Sequence, residues 1–174
     1  GGLLLVALVV PSVALAQGAR LQLDHLDRLA EKANDTVDVT VDTAMLKQTA
    51  GFLAGKGSDP AKVQQLLEGI TGIYVKSFKF DAPDAYADSD VESVRKQMIG
   101  PGWSRVVGIR EKRELTEIYF FREREVTGGL VVIAAQANEL TIVNIVGRVD
   151  LAALGALGPM IPKFPGAMRK VIPR

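Results

Sequence analysis

The sequence predicts an α+β fold: a mostly antiparallel sheet of about six strands with helices packed on it. Three observations predict it. Between Trp103 and Val149 four apolar-patterned segments follow one another, WSRVVGIREK, TEIYFFRERE, GGLVVIAAQ and NELTIVNIVGRV, with only short polar or glycine-containing breaks. Segments so rich in β-branched and aromatic residues, joined so briefly, form an antiparallel meander. Upstream, TVDVTVD and GIYVKSFKF add strand patterns. Around these, apolar residues recur at helical spacing, which supplies the cover that the sheet needs. With 174 residues, 48% of them hydrophobic, there is material for one core, and one domain over 17–158 is expected.

In chain order, GGLLLVALVVPSVALAQG opens with an uncharged apolar run from Leu3 to Val10, breaks at Pro11 and reaches the small-x-small triplet Ala14-Leu15-Ala16. This is the apolar core and cleavage site of a secretory signal peptide over 1–16, and the missing initiator Met and positive n-region indicate truncation at its start. The run is too short for the roughly 20 residues of a membrane-spanning helix. The mature chain is expected to begin near Gln17.

Leu23, Leu26, Leu29, Ala30 and Ala33 then give a short amphipathic helix expected to lie on the sheet. TVDVTVD alternates strictly, with Val37, Val39 and Val41 on one face of a half-solvated strand and Asp38, Thr40 and Asp42 on the other. A second helix runs from Ala44 to Leu53 and ends at AGKGS. Asp59-Pro60 starts a third, with Val63, Leu66, Leu67 and Ile70 inward. In GIYVKSFKF, Tyr74, Phe78 and Phe80 share one face and Ile73 and Val75 the other. Ser89 and Glu92 have capping-box spacing before a helix whose buried stripe is Val91, Val94 and Met98, and Gly100-Pro101-Gly102 ends it. In the meander, Leu130 to Ala135 is apolar on both faces, which places that strand centrally or at a buried interface. Asp150 caps a last helix with Leu151, Leu154 and Leu157 inward, and a proline-containing tail occupies 159–174.

The net charge is only +1, and no basic patch interleaved with aromatics occurs, so nucleic acid is not an expected partner. Charge is unevenly placed: Lys163, Arg169, Lys170 and Arg174 lie in the tail, and the remainder is mildly acidic. The tail, with Phe164, Met168 and Ile172, is a candidate for weak membrane-surface contact. Cysteine is absent, which excludes disulfides, thiolate nucleophiles and thiolate metal sites.

No catalytic, metal or cofactor constellation emerges. The one histidine, His25, is two residues from Asp27, whereas metal ligands on a helix need three or four. Asp24, Asp27 and Glu31 read as a solvated helix face. Asp38 with Asp42, and Glu123 with Glu125, read as exposed carboxylates without the desolvated cleft that a catalytic acid needs. Gly55, Gly57, Gly128 and Gly129 read as turn glycines, without the sequence context of a phosphate cradle. The charge-rich stretches Arg110 to Glu114 and Arg122 to Glu125 alternate in sign, and cross-strand ion pairs are the expected reason. Their arginines, Arg110, Arg122 and Arg124, form the candidate partner surface. Tyr74, Phe78, Trp103, Tyr119 and Phe121 are the candidate lining of a pocket under the sheet.

GIYVKSFKFD, PGWSRVVGIREK and GGLVVIAAQANELTIVNIVGRVDLAAL together resemble a bacterial family known as domain of unknown function 4252. The resemblance runs from about Leu21 to Leu157. Its most specific pieces are Pro101-Gly102-Trp103 and Glu139 to Gly147. It implies an exported or lipid-anchored envelope protein, some members being linked to envelope signalling, and it implies no active-site residues. The lipobox cysteine of anchored members is lacking here. The expectation is therefore a periplasmic or secreted, non-enzymatic interaction module without a cofactor, its partner an envelope protein. The alternative is a small-ligand carrier or enzyme using the aromatic pocket.

Overall fold

An extended segment satisfies its backbone N–H and C=O groups only by pairing with neighbours, and this sequence forms six such segments. The computed structural model describes residues 18–46, 48, 67–124 and 126–149. Strands β1 (Asp35–Asp42), β2 (Ile70–Lys79), β3 (Trp103–Glu111), β4 (Glu114–Glu123), β5 (Val126–Gln136) and β6 (Glu139–Gly147) form one sheet in the order β1-β2-β6-β5-β4-β3, every pair antiparallel. Helix α1 (Asp88–Arg95), extended by a 3-10 turn Lys96–Met98, links β2 to β3. The four-stranded meander is as the sequence predicts. Its last strand returns to β2, so Ile73 pairs with Ile145.

Both faces of the sheet are buried. On one, Ile73 and Val75 join Val143, Ile145, Leu130, Val132, Ile118 and Phe120, packed against Leu46, Leu67 and Val149. On the other, Phe78, Leu140, Ile142, Val131 and Ile133 meet Val91, Val94 and Met98 and the amino-terminal leucines Leu21, Leu23, Leu26 and Leu29. Each fully buried side chain of this size contributes about 1.5–3 kcal/mol. Cover is thus supplied on both faces. β5 is central, and Leu130, Val131, Val132 and Ile133 are fully buried, as the two-faced apolarity of that segment predicts.

Several local expectations shift. The amino-terminal helix is a 3-10 helix, Asp24–Leu29. Leu23, Leu26 and Leu29 recur every third residue, and three residues per turn keeps them in line. The cap of α1 is not the Ser89/Glu92 pair. Its N-cap is Ala87, whose N–H donates to the carboxylate of Asp90 at 2.9 Å. Gly128 and Gly129 lie inside β5 and are not turn residues. A Cβ on Gly129 would stand 2.7 Å from that of Ala19, so its bareness lets the amino-terminal segment lie on the sheet. The third and last helices (apart from residues at 67–70), most of the second, AGKGS, the signal peptide and the tail fall outside the described residues.

Candidate functional site

At one end of the sheet three connections converge: the loop before α1, the β3–β4 turn and the β5–β6 turn. Each is positioned by local chemistry. Asp84 adopts φ 60°, a conformation that aspartate tolerates better than most residues, and its N–H donates to the carbonyl of Ala137 at 2.8 Å. Tyr86 packs on Phe80 with ring centroids 5.9 Å apart and donates its hydroxyl to the carbonyl of Gln136. Burial, together with Asp88, Asp84 and Asp90, pushes the Tyr86 hydroxyl up to about 12, so it stays protonated as a donor. Lys112 takes φ 52° in the β3–β4 turn.

Between these connections and α1 lies a groove of about 400 Å³. Val91, Leu115 and Ala135 give it apolar surface. The α1 side supplies Asp84, Asp88 and Glu92 with one cation, Arg95, and the β3–β4 turn supplies Arg110, Lys112 and Arg113 with one anion, Glu114. Arg113 and Asp84 meet at 3.4 Å as an exposed pair. Such an arrangement suits a ligand or chain segment that carries both charges around an apolar part.

Beside the groove, α1 holds the sheet through a buried ion cluster. Glu117, only 2% exposed, accepts from Nε of Arg95 at 2.7 Å, from Nη1 of Arg105 at 2.9 Å and from the Tyr119 hydroxyl at 3.2 Å. Arg95 also pairs with Glu92. Burial alone would raise the Glu117 carboxyl, but the bonds from Arg95, Arg105 and Tyr119 outweigh it and hold it below the ordinary glutamate value. A second cluster sits across the sheet. Lys76 bonds Asp38 at 2.6 Å and Asp27 at 2.5 Å; burial lowers its ammonium, and the two carboxylates more than offset that. Asp27 is therefore a structural partner and not simply part of a solvated face. His25 meets the Ser93 hydroxyl at 2.7 Å.

The candidate partner surface divides. Arg110 stands opposite Leu115 at the groove end of β4, whereas Arg122 stands opposite Thr127 at the other end and Arg124 lies in the β4–β5 turn. About 23 Å of strand separates Arg110 from Arg122. The expected cross-strand ion-pair ladder does not form, because the two charge-rich stretches become turns at opposite ends of β4. Glu111 even faces Glu114.

The five aromatics do share one sheet face, yet they belong to packed clusters. Phe78 and Tyr119 lie in the cluster beneath α1, and Trp103 and Phe121 pack at 5.2 Å beside Ala19 and Val146. Tyr74 carries the Arg20 guanidinium 4.5 Å above its ring. None of the five lines the groove.

Among the described residues, no group of three or more His, Cys, Asp or Glu is placed to hold a metal, and no helix is long and apolar enough to cross a membrane. A family model, domain of unknown function (DUF4252), matches residues 30–157. The chain belongs to this family. The DUF4252 match spans all six strands, α1, the groove and the Glu117 cluster. Curated proteins and solved structures give no match.

The reading from sequence missed Arg95, Arg105, Glu117, Lys76 and Asn144. A signal was present for three of them. Glu117 alternates with Tyr119 and Phe121, Lys76 lies between Tyr74 and Phe78 on their row, and Asn144 interrupts an apolar strand, so each is a polar group on a core-facing row.

Proposed function

We propose that this DUF4252 domain is an exported, non-enzymatic interaction module of the cell envelope, and that it receives a mixed-charge segment of an envelope protein in the groove beside α1. The observation that carries this reading is the groove itself, with mostly anions on the α1 rim, mostly cations on the β3–β4 rim and apolar side chains between. Complementary rims of this kind set selectivity and on-rate. The chemistry of the buried charges supports the same reading. Glu117 and Lys76 are committed to ion pairs that hold them ionised, which leaves neither poised to transfer a proton near neutral pH. The signal-peptide pattern of 1–16 supports export.

The test is crosslinking in cells followed by identification of the captured protein. Two charge-reversed variants separate the halves of the arginine surface. Arg110→Glu with Lys112→Glu should lose the partner, and Arg122→Glu with Arg124→Glu should keep it. Capture unaffected by the first pair, or capture of a second copy alone, overturns the proposal.

A further inference from the structure

The two edges of the sheet are built differently. β3 is guarded: its register slips between Arg105 and Val107, leaving Val106 half exposed, and Arg105, Arg110 and Glu111 line it. Bulges and charges of this sort discourage a further strand. β1 carries three aspartates but no bulge. Its eight residues pair with β2 in unbroken register, from Asp35 against Lys79 to Asp42 against Gly72, with no proline, glycine or lysine. Among the described residues, its other side pairs with no strand.

We propose that β1 is a dimerisation edge that pairs antiparallel with β1 of a second copy, about a two-fold axis at Val39. The side-chain order makes this pairing self-complementary. With Val39 opposite itself, Val37 faces Val41 of the second copy, Asp38 faces Thr40, and Thr36 faces Asp42. Every valine meets a valine, and every aspartate of the 36–42 segment meets a threonine hydroxyl that can donate to it. Shifting the axis to Asp38 sets aspartate on aspartate, and shifting it to Thr40 sets Asp38 against Asp42. Like charges placed directly opposite are destabilising, so one register is selected.

Burial points the same way. Val37, Val39 and Val41 are only half-buried, while Val75 beside them is 1% exposed. The valine row stops at the edge, and a second valine row would cover its open flank. Thr36, Asp38, Thr40 and Asp42 are exposed. Asp38 remains tied to Lys76, so part of its charge is already balanced. The groove beside α1 adjoins the opposite end of the strand order, so a continuous twelve-stranded sheet leaves both grooves open.

The experiment is sedimentation of the purified chain over a wide concentration range, with wild type, Thr40→Asp and Thr40→Lys. Wild type should dimerise reversibly. Thr40→Asp, which sets two aspartate pairs face to face, should weaken the dimer about ten-fold, and Thr40→Lys should tighten it about as much. Since the chain lacks cysteine, single substitutions report the register directly. Val39→Cys should crosslink to itself on mild oxidation. Val37→Cys and Val41→Cys should crosslink with each other and not with themselves, because their like positions are four residues out of step. Unchanged unfolding transitions show that the variants are folded, and the exposed Thr40 pair decides the matter should a valine substitution fail to fold. A monomer at every concentration, or a dimer indifferent to position 40 with equal self-crosslinking at 37, 39 and 41, overturns the proposal.

Discussion

Glu117 is a carboxylate on a row that otherwise carries Tyr119 and Phe121 toward the core. Its position is tolerable because α1 brings Arg95 and β3 brings Arg105 to the same two oxygens. Removing one partner of such a cluster leaves the others desolvated. Glu117→Gln should therefore destabilise the fold by about 2–3 kcal/mol at neutral pH, less than a fully buried pair would lose because Arg95 keeps Glu92 and Arg105 is half exposed. The pH dependence has a definite sign. The carboxyl titrates lower in the folded chain than its ordinary 4.5, so the unfolded chain takes up the proton first. The cluster's contribution is complete above that ordinary value and is lost as the pH falls through the lower folded one. Thermal unfolding should show a steeper acid loss for wild type than for Glu117→Gln. Parallel curves would mean that Glu117 gains nothing from its arginines.

At the scale of elements, the amino-terminal segment is held by the sheet more than by its own helix. Asn144, fully buried in β6, accepts the Leu21 N–H at 2.9 Å and donates to the carbonyls of Ala19 at 3.0 Å and Leu130 at 3.3 Å. Gly129 leaves the space that Ala19 fills. Asn144→Leu keeps the volume and orphans the Leu21 N–H, at a cost of about 1–3 kcal/mol for each group left buried and unpaired. Amide exchange over residues 18–29 should accelerate in Asn144→Leu and in Gly129→Ala, while β5 and β6 stay protected. Equal acceleration everywhere would show that the segment is not a separable unit.

These contacts also show what the sequence could disclose. Strands were legible because alternation and two-faced apolarity are local signals, and β3 to β6 follow the predicted segments closely. The separation of the two charge-rich stretches was not legible. Whether EKRE and RERE lie side by side or at opposite ends of β4 depends on where the turns fall. The groove was illegible for a related reason, since its walls come from residues 84–95, 110–115 and 135–137, and only the closed sheet brings them together. Of the three arginines that the sequence marks as a partner surface, Arg110 alone lines the groove.

For the whole molecule, the decisive pairing is the most distant one. β6 completes the meander on one side and meets β2 on the other, with Ile145 opposite both Ile73 and Leu130 and fully buried. The β3–β6 hairpins close short loops, but the β2–β6 ladder closes a long one, and its entropy must be spent before the ladder forms. If the meander were stable alone, weakening that ladder would release β1 and β2 and leave the rest standing. The burial argues otherwise. Val143 and Ile145 share their cluster with Ile73 and Val75, so β6 loses its packing when β2 departs. Ile145→Ala should lower stability by about 2–5 kcal/mol and keep a single unfolding transition. Circular dichroism, which reports the whole sheet, should then coincide with the fluorescence of Trp103, the chain's one tryptophan, on the edge strand β3. Separate midpoints would show instead that the meander folds on its own and that β1 and β2 are added to it.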